Sequence, residues 1–191
     1  MMTLGLYLAH KKTIRAGFVP YTMRKGVLYF LLARHRETGE LGDLGGGVRQ
    51  YEGALQAGLR ELDEETHGLF NVDIVNANDL TSKIALIDKG NKMSVIFWPI
   101  SPEWINSAPL EFQKRREQYL SSKSYRKQND EISELVWLDE LAFKLLIFGR
   151  QRAHDHPHTH NELWQKVKNF FQQCYNSETS DALKIIYSHT K

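Results

Sequence analysis

The chain has 191 residues, 41% of them hydrophobic and 11% aromatic, with 25 Lys and Arg against 23 Asp and Glu. That suits one domain with a substantial core and excludes a disordered polymer. The longest apolar run, residues 26–33, is too short to span a bilayer. At the N-terminus the charges follow the apolar stretch, unlike a secretory signal, and the lone Cys174 excludes an internal disulfide or a CxxC site. The expectation is a soluble cytoplasmic protein with no membrane partner.

In chain order, Thr13 to Val19 and Gly26 to His35 read as strands, separated by a turn over Pro20 to Lys25. Residues 39–47 hold five glycines in nine positions, a composition suited to positive φ or to close approach of a ligand. From Gly53 the apolar residues Ala54, Leu55, Ala57, Leu59 and Leu62 recur at helical spacing through Glu65. Lys83 to Ile87 and Lys92 to Ile100 read as strands. The polar stretch from Pro109 to Asp130 reads as helical in its first half. Ile132 to Leu138 alternates as a strand, and Asp139 to Phe148, Asn161 to Tyr175 and Ser180 to Tyr187 read as helices. A mixed sheet with helices packed on it is the fold class that emerges.

Charge is unevenly distributed. Residues 1–36 carry seven basic side chains and no acid, whereas residues 37–80 carry ten acids and only Arg49 and Arg60 as bases. Within that acidic block, Glu61, Glu64 and Glu65 share one helical face, where like charges three and four apart repel. A hard divalent cation offsets that repulsion, and Mg²⁺ prefers such oxygen ligands together with substrate phosphates. The glycine loop ahead of the helix can bring carbonyls to a metal and amides to a phosphate. An exposed acidic helix with no ligand has the same local pattern.

The complete spacing is Gly46, five residues, Glu52, seven residues, then Arg60-Glu61-Leu62-x-Glu64-Glu65. It resembles the Nudix box, Gx(5)Ex(7)REUxEExGU with U apolar, and matches every fixed position through the paired glutamates. After Thr66 it departs: His67 stands before Gly68-Leu69, either as an insertion or in place of the box glycine, with Gly68 expected to cap the helix. The resemblance implies an α/β fold (α+β), a Nudix-like α/β/α sandwich with a mixed sheet over residues 1–150. Residues 151–191 are then expected to form a C-terminal helical extension packed on the same domain.

The implied activity is Mg²⁺- or Mn²⁺-dependent hydrolysis of a diphosphate linkage in a nucleoside diphosphate derivative. Glu61, Glu64 and Glu65 are the implied ligands, joined by the Gly45 carbonyl and, as loop support or for a further ion, Glu52. Arg60 would orient the glutamates. The base that deprotonates water is Glu61 or an acid outside the box, with Glu131 ahead of Glu134 and Asp130.

Between Phe112 and Gln128 lie Lys114, Arg115, Arg116, Lys123, Arg126 and Lys127, interleaved with Tyr119 and Tyr125. Cations beside aromatics suit phosphates and stacked bases. Lys114, Arg115, Arg116, Arg126 and Lys127 are therefore the expected RNA contacts if the substrate is the 5′ cap of RNA. The layout also bears a loose similarity to the decapping Nudix proteins of large DNA viruses. A small nucleotide conjugate is the other substrate class, and a non-catalytic nucleotide- or RNA-binding module the other kind of function. His154 to His160 reads as an exposed loop rather than a metal site, and Cys174 as a small buried residue. The stripe Leu163, Trp164, Val167, Phe170 and Phe171 fits packing on the domain or on a second subunit of a homodimer.

Overall fold

The computed structural model describes residues 2–3, 13–70, 84–88, 92–126, 130–148 and 165–174. Strand β1 is Met2–Thr3, β2 Arg15–Arg24, β3 Val27–His35, β4 Leu41–Gly42 and β5 Leu44–Gly47. Helix α1 spans Ala54–Thr66, followed by β6 Ile84–Asp88 and β7 Met93–Pro99. The order ends with α2 Trp104–Leu120, β8 Ile132–Asp139, α3 Glu140–Phe148 and α4 Gln165–Cys174. The expected helix after Ser180, the start of the one expected from Asn161, the His154 to His160 loop and Lys127 lie outside the described residues, as do the side chains of Leu163, Trp164, Phe170, Phe171 and Cys174.

The strands form one mixed sheet in the order β1-β6-β7-β2-β3-β4, with β5 also on β2 and β8 also on β3. Among the described strands only the β2–β7 pair is parallel, Arg15 to Tyr21 running alongside Met93 to Pro99. Alternation along the strands sorts their side chains into two layers. Val19, Tyr21, Phe30, Leu32, Val95 and Phe97 face Phe143 and Ile147 of α3 and Val167 of α4. Phe18, Leu31, Ala33, Leu44 and Ile96 face Leu62 of α1 and Ala108 and Phe112 of α2. Helices thus cover both sides of the sheet, the expected α/β/α layering.

Two expected boundaries differ. β2 continues through Pro20, and the turn shrinks to Lys25 and Gly26, both at positive φ (52° and 77°) as a tight two-residue hairpin requires. Pro20 is tolerated because β2 changes partner around it. One edge pairs with β5 up to Phe18 and with β3 from Tyr21, so no partner there requires the missing N–H. The second difference is α2, which begins at Trp104 and carries Pro109 in its interior. Burial of Ala108 and Phe112 and the Trp137 Nε1 bond to the Trp104 carbonyl (3.1 Å) override the local preference. Among the described residues, no helix is long and apolar enough to cross a membrane.

Candidate active site

β2, β5 and α1 build the site. β5 lies against β2 with Gly45 opposite Gly17 and Gly46 opposite Ala16. A Cβ on Gly45 would run into the Gly17 backbone, and one on Gly46 would overlap the Glu61 carboxylate, whose Oε2 would lie 2.6 Å away. Two of the clustered glycines are therefore steric necessities, and the second lets a glutamate lie directly on the strand. α1 begins after Gly53, whose N–H donates to Gln56 Oε1 at 2.9 Å. Leu62 anchors its apolar side, so Glu61, Glu64 and Glu65 remain around the glycine strand.

Arg60 binds these acids together. Its Nε and Nη2 donate to the two Glu52 oxygens at 2.7 and 3.1 Å. Nη1 donates to Glu61 Oε1 at 2.6 Å and reaches Glu64 Oε2 at 3.1 Å, and Nη2 also meets the Gly47 carbonyl at 2.9 Å. The bond from Arg60 pulls the Glu52 carboxyl down to about 2, and the acids in turn raise the guanidinium further above its usual range. Glu64 takes a second, longer contact from Arg49 (3.3 Å). One arginine thus holds three of the expected ligands and offsets the repulsion among them.

Two residues absent from the sequence reading complete the site. Asp43, between β4 and β5, is fully buried, and its Oδ2 accepts from Arg15 Nη1 at 2.7 Å. Arg15 Nη2 donates to the Gly45 carbonyl at 2.9 Å, so in this arrangement that expected metal ligand already accepts a hydrogen bond. Burial alone would lower the Arg15 pKa, but the Asp43 carboxylate more than reverses it and the value is raised. Glu65 is pushed well above the usual carboxylate range, first by burial and then by the charge of Asp43. The available signal for Asp43 was an acid inside the buried run Leu41 to Leu44, two residues before the glycines.

Among the described residues, no group of three or more His, Cys, Asp or Glu side chains stands at a spacing that would hold an ion. The donor chemistry nevertheless fits a hard divalent cation. Asp43 Oδ1 and Glu65 Oε2 are both shut off from solvent with no hydrogen-bond partner, which is costly for carboxylate oxygens unless a cation or proton satisfies them.

The remaining expected residues divide. Glu131 is exposed just before β8, and its charge reaches Glu65. Asp130 is buried between Arg36 Nη1 (2.6 Å) and Arg116 Nε (2.7 Å), so that an arginine engages each of its oxygens. Glu134 pairs with Arg34 at 2.6 Å. Of the basic residues on α2, Arg116 is therefore engaged by Asp130, and Arg115 Nη1 donates to the His67 carbonyl at 3.3 Å. Lys114 stays exposed, 4.0 Å from Glu111, and Arg126 is exposed just beyond the helix.

His67 closes the glutamate helix. α1 stops at Thr66, and His67 itself is the left-handed cap (φ 51°, ψ 44°), followed by Gly68 at φ 72°. An L-residue pays for that conformation, and stacking offsets the cost: the imidazole lies 4.7 Å from the Tyr119 ring and 5.7 Å from that of Phe112. The altered box end thus docks α2 on the glutamate helix.

No protein-family model and no curated protein matches the sequence. Solved structures do resemble it at low identity. An Ap4A hydrolase from C. elegans is 15% identical over 86% of this chain and 97% of its own, with a TM-score of 0.39. The Nudix hydrolase RenU from M. smegmatis is 13% identical over 86% and 85%, with a TM-score of 0.46. The NUDIX domain of Shewanella oneidensis NrtR, crystallised with ADP ribose, is 16% identical over 92% and 98%, with a TM-score of 0.41. Likenesses this distant leave the chemistry to be argued from the chain's own residues. The segment from Gly46 to Glu65 is folded as a glycine strand, loop and helix on a mixed sheet between helical layers, the α/β/α arrangement that the box resemblance implied.

Proposed function

We propose that the chain hydrolyses a diphosphate linkage in a nucleoside diphosphate derivative, with Mg²⁺ or Mn²⁺ held by Glu61, Glu64 and Glu65. The observation that carries this reading is the glutamate helix itself. Three acids are retained on one face at a cost that Arg60 offsets, beside buried carboxylate oxygens with no protein donor. A bound ion would neutralise the diphosphate and make an attacking water more acidic.

The chain's own groups do the rest. Arg60 holds Glu61 and Glu64 in place through one guanidinium nitrogen, so releasing one shifts the other. Glu52, bonded to Arg60 and to the Arg49 N–H (3.0 Å), fixes the loop between β5 and α1, a supporting role. Glu61, seated over Gly46, is the base nearest the glycine strand. Exposed Glu131 is the acid outside the box that competes for that role.

For the substrate, exposed Lys114 and Arg126, two of the expected RNA contacts, support a reading that extends to capped RNA, whereas a small nucleotide needs neither. Mn²⁺ titration should show saturable binding that weakens sharply in the double variant Glu64→Gln with Glu65→Gln. A panel of nucleotide conjugates and capped RNA, with and without Mg²⁺, identifies the substrate. Metal binding without turnover of any of them would favour a non-catalytic nucleotide-binding module. No metal binding at all would sink the hydrolase reading. If RNA is the substrate, its affinity should fall with salt at about −0.7 in log–log slope per phosphate contacted.

A further inference from the structure

We propose that Asp43 is a ligand of the metal site, an acidic partner to Glu65 contributed by the sheet rather than by the glutamate helix. This rests on the metal-dependent reading above and adds a residue that the box does not contain.

Asp43 is fully buried, and its two oxygens are treated differently. Oδ2 is bonded by Arg15, whereas Oδ1 has no partner. A buried carboxylate oxygen left bare costs more than an unpaired neutral group does. The backbone makes room for this carboxylate: β2 carries Gly17 alongside it, and any Cβ there would overlap Oδ2. The other orphaned oxygen at the site is Glu65 Oε2. A buried acidic oxygen without a donor is satisfied either by a proton or by a cation. The geometry favours the cation, because Arg15 ties Asp43 Oδ2 to the carbonyl of Gly45, itself an expected metal ligand, and so sets a further hard oxygen donor beside the bare carboxylate oxygen. Arg15 is then a positioning residue that holds Asp43 by Oδ2 and leaves Oδ1 for the ion.

The test measures binding rather than turnover. Free Mn²⁺ is followed by electron paramagnetic resonance while the full chain, Asp43→Asn and the Glu64→Gln, Glu65→Gln double variant are titrated. Asp43→Asn is expected to keep its helical circular dichroism and to bind Mn²⁺ at least tenfold more weakly than wild type. Wild-type affinity in Asp43→Asn, with binding lost in the double variant, overturns the Asp43 proposal and leaves the box reading intact. No saturable binding in wild type overturns both. Should Asp43→Asn fail to fold, wild type labelled with ¹³C at aspartate carboxyls decides by infrared difference spectroscopy. A carboxylate stretch shifted on Mn²⁺ addition supports the proposal, and an unmoved aspartate spectrum refutes it.

Discussion

Replacing Arg60 with alanine measures how much the glutamate helix depends on its arginine. The guanidinium side chain is 16% exposed, and its partners Glu52 and Glu61 are 20% and 17% exposed. In such partly desolvated surroundings each charged hydrogen-bonded pair contributes about 1–1.5 kcal/mol. The Glu64 contact is with a side chain 41% exposed and adds about 0.5 kcal/mol or less. Unscreened repulsion between Glu61 and its neighbours at helical spacing adds another ~0.2–0.5 kcal/mol. The expected loss for Arg60→Ala in metal-free buffer is therefore about 2–4 kcal/mol at neutral pH. It should depend on pH in a definite sense. Arg60 holds the Glu52 carboxyl at about 2 in the folded chain against 4.5 for an unperturbed one, so the unfolded chain takes up that proton first. The wild-type advantage is complete above pH 4.5 and is lost as pH falls toward about 2. Urea unfolding followed by tryptophan fluorescence, with chelator present, at about pH 7 and about pH 3 measures both effects. An unchanged midpoint at the higher pH, or an equal gap between the proteins at both, would refute the reasoning.

Three further outcomes are expected. Gly45→Ala forces β5 away from the Gly17 backbone and should cost about 1–3 kcal/mol in thermal or urea unfolding, as overpacking does. Gly47→Ala, whose Cβ would meet nothing within 4 Å, should stay within about 0.5 kcal/mol. His67→Ala keeps the left-handed strain but loses the stack, for about 1 kcal/mol, whereas His67→Gly loses the stack and the strain together and should be near neutral. Burial lowers the His67 pKa from 6.5, so this group's contribution to stability is complete above that pH and declines as pH falls below it; His67→Phe should remove that dependence. Arg116→Gln strips one of two arginines from buried Asp130 and should cost about 1–3 kcal/mol, while Lys114→Gln with Arg126→Gln should leave stability unchanged and flatten any salt dependence of RNA binding.

The local features of this chain were legible in its residues because they depend only on neighbours in sequence. Spacing of three and four places Glu61, Glu64 and Glu65 together on any helix, and β-branched and aromatic content marks β3 as alternation marks β8, whatever lies beside them. The box interval was enough to expect a glycine loop leading into that helix, although the glycines themselves fold as strand β5. Only the folded chain decides what depends on which strand lies next to which. Asp43 meets Arg15 across 28 residues because β5 pairs with the first half of β2, and Pro20 is accepted because β3 takes over the second half. Arg116 and Arg115, indistinguishable in sequence from the exposed Lys114, are drawn inward by Asp130 and by the His67 carbonyl because α2 packs against the start of β8 and the end of α1. A side chain's direction follows from its local period, but its partner follows from strand order and register, and one sequence's local pattern carries no record of either.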